Sequence, residues 1–154
     1  MSPDAQHLRL EHRRLHGLIL DVRDACRVAD AESCTAGRRL YEAFSGLYVE
    51  LKRHFAQEEE GGCLEQAVTL CPSLAEEVAQ AEREHPLLLA RLERLLEVIQ
   101  MYGVKGSSNW EKQFADLARA LHSHEAREDR VLAQAFGIPA GLDIEPNPPA
   151  AKPK

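Results

Sequence analysis

Apolar residues recur along most of the chain at alternating steps of four and three, the spacing that places side chains on one face of an α-helix. We interpret each such stretch as an amphipathic helix and call its inward row of side chains a seam. The four seams are Leu8, His12, Leu15, Ile19, Val22 and Cys26; Leu40, Phe44, Leu47, Leu51, His54 and Glu58; Leu74, Val78, Ala81, His85, Leu88, Leu92, Leu95 and Ile99; and Trp110, Phe114, Leu117, Leu121, His124, Glu128, Val131 and Ala135. Four long helices around one core are therefore predicted.

The breaks between the seams contain residues that end or begin helices. Gly61 and Gly62 stop the second helix, and Pro72 precedes a helix cap at Ser73. The predicted helices run from Pro3 or Asp4 to Ala29, from Ser33 or Thr35 to Glu60, from Ser73 to about Tyr102, and from near Asn109 to Gly137, with a short helical turn over 63–70. Because short connections join antiparallel neighbours, the prediction is an all-α, up-down-up-down antiparallel four-helix bundle.

The C-terminal stretch differs in composition from the rest of the chain. Its prolines are Pro146, Pro148, Pro149 and Pro153. Proline removes a backbone hydrogen-bond donor and favours extended chain. We therefore predict a bundle domain over 1–137 and an extended or disordered Pro-rich tail over 138–154.

Composition and charge narrow the class of protein. Of 154 residues, 44% are hydrophobic and 29% are charged, which is ordinary for one compact domain. The formal net charge of −6 disfavours nucleic acid and anionic membranes as partners, since both attract a basic surface. Small molecules or ions suit this charge better. Met1-Ser2-Pro3-Asp4 leads into a charged amphipathic stretch rather than a signal peptide, so a cytoplasmic location is expected.

Six seam positions carry ionisable side chains where a helical bundle would ordinarily place leucine. Burial of a carboxylate or an imidazole is strongly unfavourable unless the group is paired or bound to a metal. Antiparallel packing would bring all six to one layer of the core. A pair of metal ions is the simplest common partner. The candidate metal ligands are His12, His54, Glu58, His85, His124 and Glu128.

Two of the helices repeat one spacing of these ligands. His54 and Glu58, and likewise His124 and Glu128, are four residues apart and share a helical face. A carboxylate can bridge two metal ions, so two glutamates flanked by histidines suit a dinuclear iron or manganese centre. No cysteine lies at this level of the seams, which disfavours an iron–sulfur cluster or a thiolate zinc site. Iron is therefore the first choice, and the cysteines are expected to be reduced thiols.

The residues around the candidate ligands resemble the four ligand-bearing helices of hemerythrin-like, histidine–histidine–glutamate (HHE) cation-binding domains. The segments concerned are Glu11-His12-Arg13-Arg14-Leu15, His54-Phe55-Ala56-Gln57-Glu58-Glu59, Arg83-Glu84-His85 and His124-Glu125-Ala126-Arg127-Glu128-Asp129. The resemblance extends over about Leu8 to Phe136. It implies a four-helix bundle with a non-haem, oxo- or hydroxo-bridged pair of iron ions that binds dioxygen, nitric oxide, peroxide or related small oxidants.

The resemblance is incomplete at one position. Oxygen-carrying hemerythrins place a second histidine one turn after the first on the third helix, where this chain has Leu89. The remaining six ligands resemble instead the branch of the family with bacterial proteins for repair of iron centres and with iron- or oxygen-sensing domains. Two classes of function stay open: a binding or sensing module, and a reactive protein that detoxifies peroxide or nitric oxide or donates iron. A bundle that uses its histidines only for packing is the third reading.

Two further side chains, close in sequence to the candidate ligands, could also belong to the ligand set. His16, one turn after His12, is a candidate fifth histidine. Asp129 has the offset that oxygen-carrying hemerythrins use, but in a regular helix it points well away from His124, so Glu128 is the preferred carboxylate. The ionisable residues predicted to face solvent are His7, His122, Glu59 and Glu60, and Asp129 is expected either to face solvent or to contact a ligand rather than the metal.

Overall fold

A computed structural model describes residues 3–29, 34–60, 62–102 and 109–137. Across these ranges the chain is helical and contains no β-strand, which confirms the all-α prediction. The elements are α1 (Pro3–Ala29), α2 (Cys34–Glu59), α3 (Cys63–Leu70), a 3-10 turn (Pro72–Leu74), α4 (Ala75–Tyr102) and α5 (Trp110–Phe136). None of these helices is long and apolar enough to cross a membrane. The predicted tail over 138–154 and the candidate cap at Ser33 lie outside the described ranges.

Local backbone chemistry sets the ends of the helices. Gly137 ends α5 with a φ of 65°, a left-handed conformation that glycine adopts without steric strain. Gly62 precedes α3, and a Cβ atom there would lie 3.0 Å from the carbonyl oxygen of Glu58, so the close approach favours glycine. The prediction that Ser73 caps the next long helix is wrong. Ser73 lies inside the 3-10 turn that Pro72 begins, and α4 starts after it.

The long helices pack in the order α1, α2, α4 and α5, and α5 returns to contact α1. Two apolar clusters fill the interior. The larger one includes Phe44, Leu92 and Leu121, and the smaller one joins α3 to the bundle through Leu64 and Val131. On α1, α4 and α5 the candidate ligands fall between residues of the two clusters, so the polar layer has apolar packing on both sides.

The seams are confirmed at almost every position. The second and third seams are buried throughout, and the first and fourth are buried except at Cys26 and Ala135, which lie near helix ends and are partly buried. The periodicity missed Phe55 and Leu132, which are buried one position beside a seam residue. Cys26, Cys63 and Cys71 are free cysteines.

Candidate metal centre

The six candidate ligands lie together in one layer of the bundle. They come from all four long helices, and their exposed fractions are 6% for His12, 1% for His54, 6% for Glu58, 1% for His85, 1% for His124 and 0% for Glu128. The helical spacing explains this burial, since each residue occupies a seam position on its own helix. The structure therefore brings together all the residues that the seams single out.

Helices α2 and α5 each supply one histidine and one glutamate in direct proximity. His54 Nε2 lies 3.1 Å from Glu58 Oε1, and His124 Nε2 lies 3.1 Å from Glu128 Oε1. Both pairs are four residues apart, which is one helical turn. The repeated spacing in the sequence thus produces the same local geometry twice.

Helices α1 and α4 each supply a histidine that faces both glutamates. His12 Nε2 lies 3.8 Å from Glu58 and 3.1 Å from Glu128. His85 Nε2 lies 3.3 Å from Glu58 and 3.7 Å from Glu128. The two carboxylates are therefore common neighbours of the imidazoles.

The converging atoms do not satisfy one another by hydrogen bonds. The Nε2 atoms of the four histidines and both carboxylate oxygens of each glutamate are buried without a hydrogen-bond partner. Buried polar atoms in proteins are almost always satisfied, and metal ions satisfy imidazole nitrogens and carboxylate oxygens together. Two sets each place one donor atom per residue within 4.8 Å of the others: His12, His54, Glu58 and Glu128; and Glu58, His85, His124 and Glu128. Each of these two sets could hold a metal ion.

The other imidazole nitrogen, Nδ1, approaches a carboxylate on a neighbouring helix. The distances are 3.1 Å from His54 to Glu11, 2.8 Å from His85 to Glu59, 3.1 Å from His124 to Glu84 and 3.6 Å from His12 to Asp129. The first three contacts are hydrogen bonds, and the fourth is a longer contact. Each histidine therefore has one nitrogen directed to the shared glutamates and one directed to an outer carboxylate.

Sequence reasoning did not assign Glu11, Glu59 or Glu84 to the site. The side chains of Glu59 and Asp129 are 50% and 41% exposed, so they meet solvent as predicted, and they also contact His85 and His12. His16 is exposed on α1 and belongs to neither donor set, so the structure does not bring this candidate fifth histidine to the site. His7 and His122 are exposed, as predicted.

An aromatic ring packs against the histidines from the side of the larger apolar cluster. Phe55 is 3% exposed, and its ring stacks on that of His85 with centroids 4.0 Å apart and planes inclined by 7°. It also meets the ring of His124 edge-on, at 5.3 Å. Close aromatic packing restricts the planes of the imidazoles and excludes water from this side.

A cavity of about 240 Å³ opens beside the site. Of the candidate ligands, it reaches Glu58, and it is lined by His7, Leu8, Glu11, Gln57, Glu58, Glu60, Gly62 and Cys63. A molecule of water occupies roughly 30 Å³ in the liquid, so the cavity has space for a small ligand. A larger cavity of about 470 Å³, between α4 and α5, has no candidate ligand in its lining.

Comparison with known protein families agrees with this geometry. The family model described as the hemerythrin HHE cation binding domain matches residues 4–136. The chain belongs to the hemerythrin HHE family. Comparisons with curated proteins and with solved structures found no match. The matched residues include every candidate ligand and every outer carboxylate, so the site lies within the hemerythrin HHE domain.

In the metal-free hemerythrin HHE domain, carboxylates and imidazoles shift one another's proton affinity. Burial alone would lower the pKa of His12, but the carboxylates of Asp129 and Glu128 outweigh it and raise that pKa to about 12. Burial also opposes the charged form of His85, whose pKa Glu128 and Glu58 nevertheless raise to about 10. Burial and Glu128 act to raise the pKa of Glu58, yet the surrounding imidazoles lower it to about 2. Imidazolium–carboxylate attraction thus stabilises the metal-free site.

We expect the metal-free hemerythrin HHE domain to lose stability as the pH rises above about 6.5. The pKa values of His12 and His85 are raised from 6.5 to about 12 and about 10, so the folded chain binds more protons than the unfolded chain above that pH. The free energy of unfolding then falls by up to about 1.4 kcal/mol per pH unit for each of these histidines. Thermal unfolding of the chelator-treated protein between about pH 6 and 9 measures the effect. A midpoint that stays constant or rises contradicts it.

Proposed function

We propose that the protein is a non-haem di-iron protein that binds or senses dioxygen, nitric oxide or a related small oxidant. The observation that carries the proposal is the convergence of four imidazole Nε2 atoms on two carboxylates that lack hydrogen-bond partners. Two ions suit this donor set better than one, because it divides into two groups that share Glu58 and Glu128. Each ion would be held by two imidazoles and by oxygen atoms of both shared glutamates.

The donor types favour iron over zinc. The sets contain nitrogen and oxygen donors and no thiolate, and mixed imidazole and carboxylate ligation in a helical bundle is typical of di-iron and di-manganese proteins. When bound, two iron ions can give electrons to a small oxidant and take them back. The chain itself supplies the buried layer, the apolar surroundings that exclude water and the cavity next to Glu58.

The proposal includes an up-down-up-down order of the four long helices. Contacts between helices support it, because residue numbers rise along one helix as they fall along its neighbour. These contacts are Glu11 with Arg53 and Arg14 with Glu50, between α1 and α2, and Tyr48 with Glu93 and Glu59 with His85, between α2 and α4. We further propose that residues 1–137 contain the metal-binding domain and that the protein acts on small molecules in the cytoplasm.

A reactive di-iron protein, which consumes peroxide or nitric oxide or donates iron, is the second candidate. The number of ligands favours it. Leu89, one turn after His85, is an apolar side chain packed against the larger cluster, and His16 is exposed. With no fifth histidine in either donor set, more positions on the metal ions stay open for a reactant or for exchange of the metal.

Anaerobic reduction of the iron-loaded protein, followed by exposure to air, distinguishes the two functions. A binding or sensing protein is expected to develop a charge-transfer absorption band that disappears when oxygen is removed and returns over repeated cycles. A reactive protein is expected to oxidise rapidly and irreversibly in the first cycle. Repeating the experiment with nitric oxide and with peroxide identifies the oxidant. An iron-loaded protein that responds to none of the three contradicts both functions.

A further inference from the structure

On each long helix, an acidic residue next in sequence to a candidate ligand approaches a histidine of a neighbouring helix. These outer carboxylates are Glu11 before His12, Glu59 after Glu58, Glu84 before His85, and Asp129 after Glu128. Neither the family match nor the proposed ligand set gives them a role. The same placement occurs on all four long helices, which indicates a common structural role.

The outer carboxylates link the helices in a closed ring around the site. Each one crosses a single interface between helices and reaches the Nδ1 side of the neighbouring histidine. The links run from Glu11 on α1 to His54 on α2, from Glu59 on α2 to His85 on α4, from Glu84 on α4 to His124 on α5, and from Asp129 on α5 to His12 on α1. The last link returns to the helix on which the first began.

Helix geometry explains why the ring closes. Consecutive residues are about 100° apart around a helix, so a residue next to an inward-facing ligand points to the flank, towards an adjacent helix. The outer carboxylate precedes its ligand on α1 and α4 and follows it on α2 and α5. Seen from one end of the bundle, the step from a residue to the next one rotates clockwise on one helix and anticlockwise on an antiparallel helix. In a bundle of alternating helices, all four carboxylates therefore turn the same way around the site.

We propose that the outer carboxylates are positioning residues that direct the Nε2 atoms of all four histidines to the metal pair. A neutral imidazole carries one N–H, so a carboxylate that accepts this hydrogen at Nδ1 leaves the Nε2 lone pair available to a cation. A negatively charged acceptor also makes the imidazole a stronger ligand. This inference rests on the proposed function and extends it to the residues that orient the ligands.

Glu59 is the most suitable of the four outer carboxylates for a substitution that tests their proposed role. Its link to His85 is the shortest of the four, at 2.8 Å, and its side chain is 50% exposed. By contrast, Glu11 and Glu84 also contact arginines, Arg53 at 2.8 Å and Arg127 at 3.3 Å, so their removal would also break an ion pair. Replacing Glu59 therefore disturbs the packing and the remaining charges least.

The experiment compares Glu59→Ala with Glu82→Ala, which removes the same charge from an exposed residue three positions before His85 that belongs to neither donor set and does not line the cavity. Equilibrium titration with ferrous iron under anaerobic conditions is expected to show binding about 10- to 100-fold weaker in Glu59→Ala and unchanged in Glu82→Ala. At full loading, the reduction potential of the iron pair is expected to rise in Glu59→Ala, because an anion that stabilises the oxidised ions is lost. A third variant, Glu59→Gln, keeps a neutral acceptor and separates orientation from charge.

Nitrogen NMR of the imidazoles in the metal-free protein tests the link without iron. The Nδ1 proton of His85 is expected to exchange slowly with solvent in the wild-type protein, in Glu82→Ala and in Glu59→Gln, and rapidly in Glu59→Ala. Equal affinity, potential and proton exchange in Glu59→Ala and Glu82→Ala would overturn the inference. A wild-type protein that binds no iron while the His85 proton is protected would overturn the proposed function instead.

Discussion

Replacing Glu128 by glutamine is expected to remove both metal ions from the protein. Glu128 belongs to both donor sets, is completely buried, and lies within 3.1 Å of the Nε2 atoms of His12 and His124. An amide has no negative charge and one oxygen, so it cannot bridge two cations as a carboxylate does. Iron content is expected to fall from about two per chain to near zero.

The same substitution is expected to lower the thermal stability of the iron-loaded protein. A ligand present at 100 times its dissociation constant stabilises the folded state by about 2.7 kcal/mol, which corresponds to a midpoint shift of roughly 5 to 10 °C in a protein of this size. Asp129→Asn, the same chemical change at the adjacent residue, is the matched control. It is expected to bind both ions, although less tightly than the wild-type protein, because Asp129 contacts the Nδ1 side of His12 and belongs to neither donor set. Loss of both ions in Asp129→Asn, with retention in Glu128→Gln, would reverse the assignment.

Substitution of a single histidine is expected to remove one metal ion and to leave the other bound. His54 belongs to one donor set and His124 to the other, whereas the two glutamates belong to both. His54→Leu and His124→Leu should therefore each keep one tightly bound ion, because the second set retains all its donors. Leucine has a volume close to that of histidine and is compatible with the apolar clusters on either side of the layer.

Metal analysis of these variants after dialysis gives the count directly. His122→Leu is the matched control on α5, since His122 is exposed and lies two residues before His124. It is expected to keep both ions. If either His54→Leu or His124→Leu retains two tightly bound ions, the corresponding histidine is not a ligand. If each variant loses both, the two ions bind as one cooperative unit and the separate sets are the wrong description.

The fold and the ligands could be predicted because both follow from the periodicity of a single helix. A histidine such as His85, seven residues after Val78 and three before Leu88, must face the same side as those residues in a regular helix. Its burial therefore required no knowledge of the neighbouring helices. The i, i+4 spacing of His54 and Glu58 fixed their common face in the same way.

The outer carboxylates could not be predicted from one helix alone. Glu59 and Asp129 lie about 100° from the inward face, where a charged side chain ordinarily meets solvent. Their contacts depend on how each helix is rotated against its neighbour, which periodicity leaves undetermined. Phe55 was missed for the same reason, since its ring packs against residues of other helices, among them His85 on α4 and His124 on α5.

Anaerobic titration of the metal-free protein with ferrous iron tests the di-iron proposal most directly. Binding is followed by the absorption of the complex and by the iron that remains with the protein after gel filtration. The two donor sets that share Glu58 and Glu128 predict saturation at about two ions per chain. Saturation at one ion per chain, or no retained iron, would contradict the dinuclear centre.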